Sequence, residues 1–485
     1  MSRIVKTYNE EVVKRTAKRC KERGIQIPTF AQMRHPETAP DAVKARLKQV
    51  GLWDVDPANL FRITWKNDPE TGLFGGPNHL EIPSAITGVK ARIIGLVGKY
   101  FPTGAHKVGA AFACLVPRLV SGEFDPDYHK AVWPSTGNYC RGGAFDSAVL
   151  GCTAIAILPE NMSQERFTWL GQIGSEVIAT PGCESNVKEI YDKCWELKGD
   201  PKHLIFNQFE EFGNPVWHYN VTGPAMEDIF NAIKTPKTRL AGYVSATGSA
   251  GTIAAGDYLK DQHPGSKTVA TEAIQCPTLL NNGFGDHRIE GIGDKHVPWV
   301  HNVRNTDAVA AIDDEDCMRV LRLFNEPAGQ AHLASLGVDQ ATIEKLGLLG
   351  ISGICNMLAA IKMAKYFELD ENDVIFTIFT DSVDMYRSRL AEQTAEHGAF
   401  TAVNAATAHV GSLERQATDN FKELTFTDKK AIHNLKYYTW VEQQGKTYEE
   451  ICAQWDPEYW RELFADEAAH FDKLITAFNA QVAAS

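Results

Sequence analysis

No two of the ten cysteines stand in C-x-x-C spacing, and no Cys/His cluster is tight enough for zinc. Most lie in apolar runs, as Cys152 does in Gly-Cys-Thr-Ala-Ile-Ala-Ile-Leu, which reads as buried reduced thiol in a reducing compartment. No run reaches about 18 apolar residues, so no membrane span is expected. The opening Met1-Ser2-Arg3-Ile4-Val5-Lys6 lacks the apolar core of a secretion signal, which makes the cytoplasm the expected location. A basic stripe is missing too. The 49 basic and 61 acidic side chains leave a net charge of −12, which argues against a nucleic-acid partner. Internal repeats and low-complexity tracts are absent. What is present, 44% hydrophobic and 23% charged residues in 485, is ordinary globular composition and excludes a collagen-like or disordered chain. A core of that size needs no disulfide or metal staple, and more than one lobe is expected.

Short apolar runs alternate with helical patterns. Expected strands are Ala91–Val97, Ala131–Pro134, Thr153–Leu158, Glu176–Ala179, Leu204–Asn207, Gly242–Ala246, Thr268–Glu272, Ala308–Ile312 and Val374–Phe379. Several are apolar without alternation, as strands buried on both faces are. Helical patterns between them include Val108–Leu119, Gln164–Ile173, Asn186–Leu197, Cys317–Phe324 with Asp314 as expected N-cap, and Ile354–Phe367. The alternation predicts βαβ units: an α/β chain in two lobes, each a three-layer α/β/α arrangement of mostly parallel strands, plus a helical C-terminal extension. Expected boundaries are a helical arm at 1–60, a large lobe at 61–129 with 236–395, a small mobile lobe at 130–235 and the extension at 396–485. Residues 276–300, rich in Gly, His and Pro, read as a long functional loop. The aromatic group Tyr437, Tyr438, Trp440, Trp455, Tyr459, Trp460 and Phe464 reads as packing.

Four segments at strand ends or helix starts could carry chemistry. Lys107, in Pro102-Thr103-Gly104-Ala105-His106-Lys107-Val108-Gly109, opens an apolar helix among small neighbours. There an ammonium is disfavoured, and a neutral lysine is what Schiff-base chemistry requires. Ser135-Thr136-Gly137-Asn138 follows a strand and offers hydroxyls and amides to an anion, or a simple N-cap turn. Gly248-Ser249-Ala250-Gly251-Thr252 precedes a helix and can converge N–H groups on a phosphate. It lacks the G-x-G-x-x-G spacing of a dinucleotide loop and the G-K-[ST] ending of a P-loop. Asp381-Ser382 ends the last buried strand, where a capping turn is the plain alternative.

Taken in this order, the segments resemble the fold-type II pyridoxal-phosphate enzymes, the tryptophan synthase β-like superfamily, over roughly residues 75–395. The likeness is strongest to the cysteine synthase/cystathionine β-synthase branch, and within it to cysteine desulfhydrase-like proteins. Supporting stretches are Leu158-Pro159-Glu160-Asn161, Gly213-Asn214-Pro215-Val216-Trp217-His218-Tyr219, His287-Arg288-Ile289-Glu290-Gly291 and Gly350-Ile351-Ser352-Gly353. The resemblance implies pyridoxal 5′-phosphate as cofactor, with Lys107 as its imine-forming and catalytic lysine and Asn138 beside its 3′ oxygen. It implies Gly248, Ser249, Ala250, Gly251 and Thr252 at the phosphate, and Ser382 or Asp381 at the pyridine nitrogen. Ser135, Thr136, Gly137, Gln208 and Arg141 are implied as substrate-binding residues. A homodimer is the family's usual assembly.

Departures are Ala250 in place of a glycine, and Tyr139-Cys140-Arg141 after the asparagine, which alters the substrate end. The C-terminal extension is too short for the paired regulatory module of cystathionine β-synthases. The implied function is α,β-elimination from a small L-amino acid, foremost L-cysteine to sulfide, pyruvate and ammonia. The alternative is β-replacement on serine, an O-activated serine or cysteine. Arg141, His287 and Arg288 are candidates for anionic substrate groups, since an arginine fork suits carboxylate, phosphate or sulfonate. Two other classes stay open: a catalytically inert cofactor binder, and a nicotinamide dehydrogenase, which the missing fingerprint disfavours.

Overall fold

The apolar runs form strands that assort into two sheets in the computed structural model, which describes residues 2–135, 137–182 and 185–485. In chain order the strands are β1 His79–Ile82, β2 Arg92–Val97, β3 Lys130–Pro134, β4 Thr153–Pro159, β5 Glu176–Thr180 and β6 His203–Ile205. They continue with β7 Arg239–Ala246, β8 Lys267–Ala273, β9 Ala308–Ile312, β10 Asp373–Phe379 and β11 Phe421–Glu423. One sheet has seven strands in the order β1-β2-β10-β7-β8-β9-β11, the other four in the order β5-β4-β3-β6. All inner pairings are parallel, and only β1 and β11, at the edges of the larger sheet, are antiparallel. Every residue of β9 and β10 is buried, as a central parallel strand covered on both faces requires.

All nine expected strands are present within one to three residues of their expected ends. The edge strands β1 and β11 are additional. The expected helices are present too, with one correction. The helix Asp314–Asn325 is capped by Asp313, whose carboxylate accepts from Glu315 N, while Asp314 is its first helical residue. Asp314 instead pairs with Arg288.

Parallel strands place their carboxyl ends along one crevice. The turn to Lys107 follows β2, the Ser135–Asn138 segment follows β3, the small-residue loop follows β7, and Thr380 follows β10. Two helices set the lysine in place. Lys107–Ser121 is buried along nearly its whole length, and Asn138–Leu150 packs across its start. A Cβ on Gly142 would lie 2.7 Å from Val108 Cα, so a larger residue there would push the lysine turn aside. The helix Pro457–Ala484 covers the far side of the same core, burying Trp460, Phe464, Phe471 and Phe478 with Phe112 and Trp217. Among the described residues no single helix is long and apolar enough to cross a membrane.

Candidate active site

A narrow cavity lies where these strand ends meet. Lys107 is on its wall with Ser135 and Asn138 from the β3 turn, and with Gly248, Ser249, Ala250 and Thr252 from the β7 turn. Lys107 Nζ is 3.5 Å from Gln208 Oε1, and Gln208 Nε2 donates to Ser135 Oγ at 3.2 Å. The lysine is therefore coupled through one glutamine to the hydroxyl expected to meet a substrate carboxylate.

At the other end, the backbone N–H groups of Gly248 to Thr252 donate to no acceptor among the described residues. They precede the ten-residue helix Ile253–Gln262, whose dipole adds positive potential at that end. The loop is held from behind. Asn214 Nδ2 donates to Ser249 Oγ at 3.0 Å, and the Ser245 and Thr252 hydroxyls are 2.6 Å apart. A Cβ on Gly248 would lie 2.5 Å from Gly291 O, so only glycine fits beneath the 276–300 segment, which folds over the loop. Ala250 takes a left-handed φ of 60°, which costs a non-glycine residue about 1–2 kcal/mol. A row of free N–H donors, two hydroxyls and a lysine across the cavity match the needs of a flat ring carrying a phosphate and an aldehyde.

Several expected residues stand elsewhere. Gly137 backs onto Arg166, and Gly251 keeps its N–H in the β7 turn row while its Cα faces Asn214, where a Cβ would lie 2.0 Å from Oδ1. Thr136 lies outside the described residues. Arg141 is fully buried but not on the cavity wall: its guanidinium donates to Thr103 O at 2.7 Å and sits 4.8 Å from the Trp169 ring. Burial, with Arg166 close by, lowers its pKa to about 10, which still leaves it charged. Arg288 is committed to Asp314 and Glu315 at 2.8 and 2.7 Å, and His287 Nε2 meets Gly293 O at 2.9 Å. None of these three lines the cavity as a receptor for a substrate anion.

The end of β10 differs from expectation in register. Ile378 and Thr380 line the cavity; Asp381 and Ser382 do not. Ser382 Oγ turns to Asp384 at 3.3 Å, and Asp381 Oδ2 accepts from Asn138 Nδ2 and Tyr386 OH, each at 2.7 Å. His106, next to the lysine, sits 3.3 Å from the Thr380 hydroxyl through Nε2.

His218, Ser352 and Asn356 also reach the cavity. Burial first, and the Lys107 charge second, lower the His218 pKa to about 3, so it is neutral at working pH. Asn356 ties two strand ends together, accepting from Ala246 N at 2.8 Å and donating to Ile378 O at 2.8 Å. Its signal in the sequence is a lone amide in the apolar run Ile351–Ala360.

Residues 99–381 match the family described as pyridoxal-phosphate dependent enzyme. Among curated proteins, a cysteine synthase of Staphylococcus aureus is 29% identical over 322 residues, covering 66% of this chain and 96% of its own. A cystathionine beta-synthase of Saccharomyces cerevisiae is 27% identical, covering 64% of this chain and 60% of its own. Among solved structures, a hydrogen sulfide-producing enzyme of Fusobacterium nucleatum superposes with a TM-score of 0.54 at 25% identity, covering 64% of this chain and 95% of that one.

Proposed function

From the premise that this chain belongs to the pyridoxal-phosphate dependent enzymes, in their cysteine synthase/cystathionine β-synthase branch, we propose that it catalyses α,β-elimination from a small L-amino acid. L-Cysteine and water would give sulfide, pyruvate and ammonia. The observation that carries this reading is the Lys107–Gln208–Ser135 chain opposite the free N–H row of the β7 turn.

Pyridoxal phosphate, when bound, supplies the conjugated ring that takes up electrons released at the substrate Cα. The residues that would hold it are Lys107 at the aldehyde, Gly248 to Thr252 at the phosphate and Asn138 at the ring's 3′ oxygen. The Thr380 hydroxyl, on the cavity wall where Ser382 is not, would face the ring nitrogen. With Asp381 behind the wall, no carboxylate among the described residues lines the cavity. A neutral hydroxyl does not hold a proton on that nitrogen, which favours rapid loss of a β substituent over prolonged charge at Cα. The substrate carboxylate would lie against Ser135, Thr136 and Gln208. Lys107 Nζ would take the Cα proton as general base and return it to the leaving group or product. His218, neutral beside Lys107, adds no competing charge.

Lys107 is the only arginine, lysine, aspartate or glutamate on the described wall. That favours substrates with an uncharged β substituent, such as L-cysteine or O-acetylserine, over O-phosphoserine and cysteate. The second reading is β-replacement on serine, an O-activated serine or cysteine. It is favoured by the synthase relatives and shares the same first half. We read the four-stranded sheet, within residues 130–235, as the smaller lobe that closes on the substrate.

The test is spectroscopic and chemical. Purified protein should be yellow from the lysine imine, and Lys107→Ala should lose that band and essentially all turnover. L-Cysteine should release sulfide and pyruvate in equal amounts. Sulfide without pyruvate, when a thiol or hydroxyl acceptor is present, selects replacement. Full turnover by Lys107→Ala would end the assignment.

A further inference from the structure

Behind the cavity wall four charged side chains are packed together out of water. Arg141, Arg166 and Asp381 have no measurable exposure, and Glu290 has 3%. They belong to different halves of the molecule. Arg141 and Arg166 accompany the four-stranded sheet, whereas Glu290 and Asp381 accompany the seven-stranded one. Arg166 pairs with Glu290, donates to Tyr386 OH at 3.2 Å and lies 4.0 Å from Asp381 Oδ2.

Asn138 sits at the junction. Its Nδ2 donates to Asp381 at 2.7 Å, and its Oδ1 accepts from Arg141 Nη1 at 3.3 Å. The reverse orientation would set an NH2 group against a guanidinium and a carbonyl against a carboxylate, so the network allows one orientation. Both heavy atoms of the amide are thus fixed from behind, and one Nδ2–H is left for the cavity that Asn138 lines.

Asp381 is a costly residue to keep here. Its Oδ1 has no hydrogen-bond partner among the described residues and is pressed against Gly350, where a Cβ would lie 1.8 Å away. Buried ion networks are weak sources of stability compared with apolar residues of similar volume. The carboxylate is better explained by what it orients. We propose that Asp381 is a positioning residue: it pins the Asn138 amide to the end of β10, across the two sheets, and so fixes the N–H that Asn138 presents to the bound cofactor and substrate. This rests on the reading of the cavity given above.

The test is a double-mutant cycle on Asp381→Ala and Asn138→Ala, with Asp381→Asn as the conservative variant. Two quantities are measured: kcat/KM of the holoenzyme with L-cysteine, and the affinity of the apoprotein for pyridoxal phosphate by titration. Asp381→Ala is expected to lower both by about 10- to 100-fold, the scale of an ångström-sized misplacement. Asp381→Asn, whose Oδ1 can still accept from Asn138, is expected to stay within about 5-fold, one hydrogen bond's net worth. The double variant should be no worse than Asn138→Ala alone. Should Asp381→Ala not fold, Asp381→Asn carries the test alone, and a loss of about 10-fold or more in either quantity overturns the proposal. It is also overturned if Asp381→Ala lowers only the melting temperature, leaving both measured quantities as in the wild type. Wild-type protein that takes up no pyridoxal phosphate would sink the functional reading as well. Wild-type protein that binds it while the variants match it sinks this proposal alone.

Discussion

Asp146 lies wholly buried in the helix Asn138–Leu150, and neither carboxyl oxygen has a hydrogen-bond partner among the described residues. Burial raises its pKa well above the ordinary carboxylate range. The sign of the consequence is fixed by linkage. Above the unfolded value near 3.9 the unfolded chain releases this proton while the folded chain retains it, so the group lowers stability as pH rises. Asp146→Asn is therefore expected to raise the melting temperature at pH 7. The gain should shrink toward nothing below about pH 4, where both states carry the proton. Calorimetry at pH 4 and pH 7 checks this; an equal gain at both would mean that titration is not the cause. The polar triplets that meet the cavity were visible in sequence because small and hydroxylic residues interrupt apolar runs at Ser135, Gly248 and Lys107. Thr380 was not. Had β10 continued, Ser382 would share a face with Ile378 and Thr380, by the period of two. The strand stops at Phe379, and the turn Val383–Met385 carries Ser382 away toward Asp384. Where a chain leaves a sheet is set by tertiary contacts that spacing does not encode.

The same limit applies to whole elements. β3, β4, β7, β9 and β10 were legible because strands covered on both faces read as largely apolar runs. The two edge strands, His-Leu-Glu-Ile at β1 and Phe-Lys-Glu at β11, are short and carry charges, so their pairing comes from the sheet they join rather than from their own composition. The aromatic segment of the extension divides in a way sequence did not show: Trp440 and Trp460 are buried, whereas Tyr438 is 62% exposed. The buried part works as a clamp. Lys436, fully buried, donates to Trp299 O at 2.9 Å, His301 O at 2.7 Å and Gln454 Oε1 at 2.7 Å. Trp440 Nε1 donates to Val297 O at 2.8 Å. These contacts hold the C-terminal end of the segment that folds over Gly248. Lys436→Ala leaves Trp299 O and Gln454 Oε1 without a donor, while His301 O keeps Val303 N, and should cost about 3 kcal/mol of folding stability. Because the covering segment is loosened, affinity for pyridoxal phosphate should fall as well. Chemical denaturation and cofactor titration test the two parts; stability lost with unchanged affinity would show that the clamp does not reach the site.

At the scale of the whole molecule the two ends of the chain close around the lysine helix. The N-terminal helix Glu10–Glu22 and the 28-residue helix Pro457–Ala484 share one core with Lys107–Ser121. The Asp472 carboxylate accepts from Phe30 N at 2.6 Å and Ala31 N at 3.1 Å, and Asn479 bonds both backbone groups of Ile27. Phe30 and Phe471 meet with ring centroids 5.7 Å apart. The family match ends at residue 381, yet this later helix supplies core side chains to the element that begins with Lys107. It is therefore part of the catalytic body and not an appendage. Phe471→Ala should cost about 3–5 kcal/mol, the usual penalty for emptying a buried aromatic site. The loss should appear as a lower denaturant midpoint with an unchanged slope, since the variant unfolds the same surface. Removing residues 457–485 should go further and leave protein that neither folds cooperatively nor takes up pyridoxal phosphate. A trimmed protein with native cofactor absorbance and a single cooperative unfolding transition would show that the lysine helix is stable without its terminal cover, and would return the extension to the status of an independent unit.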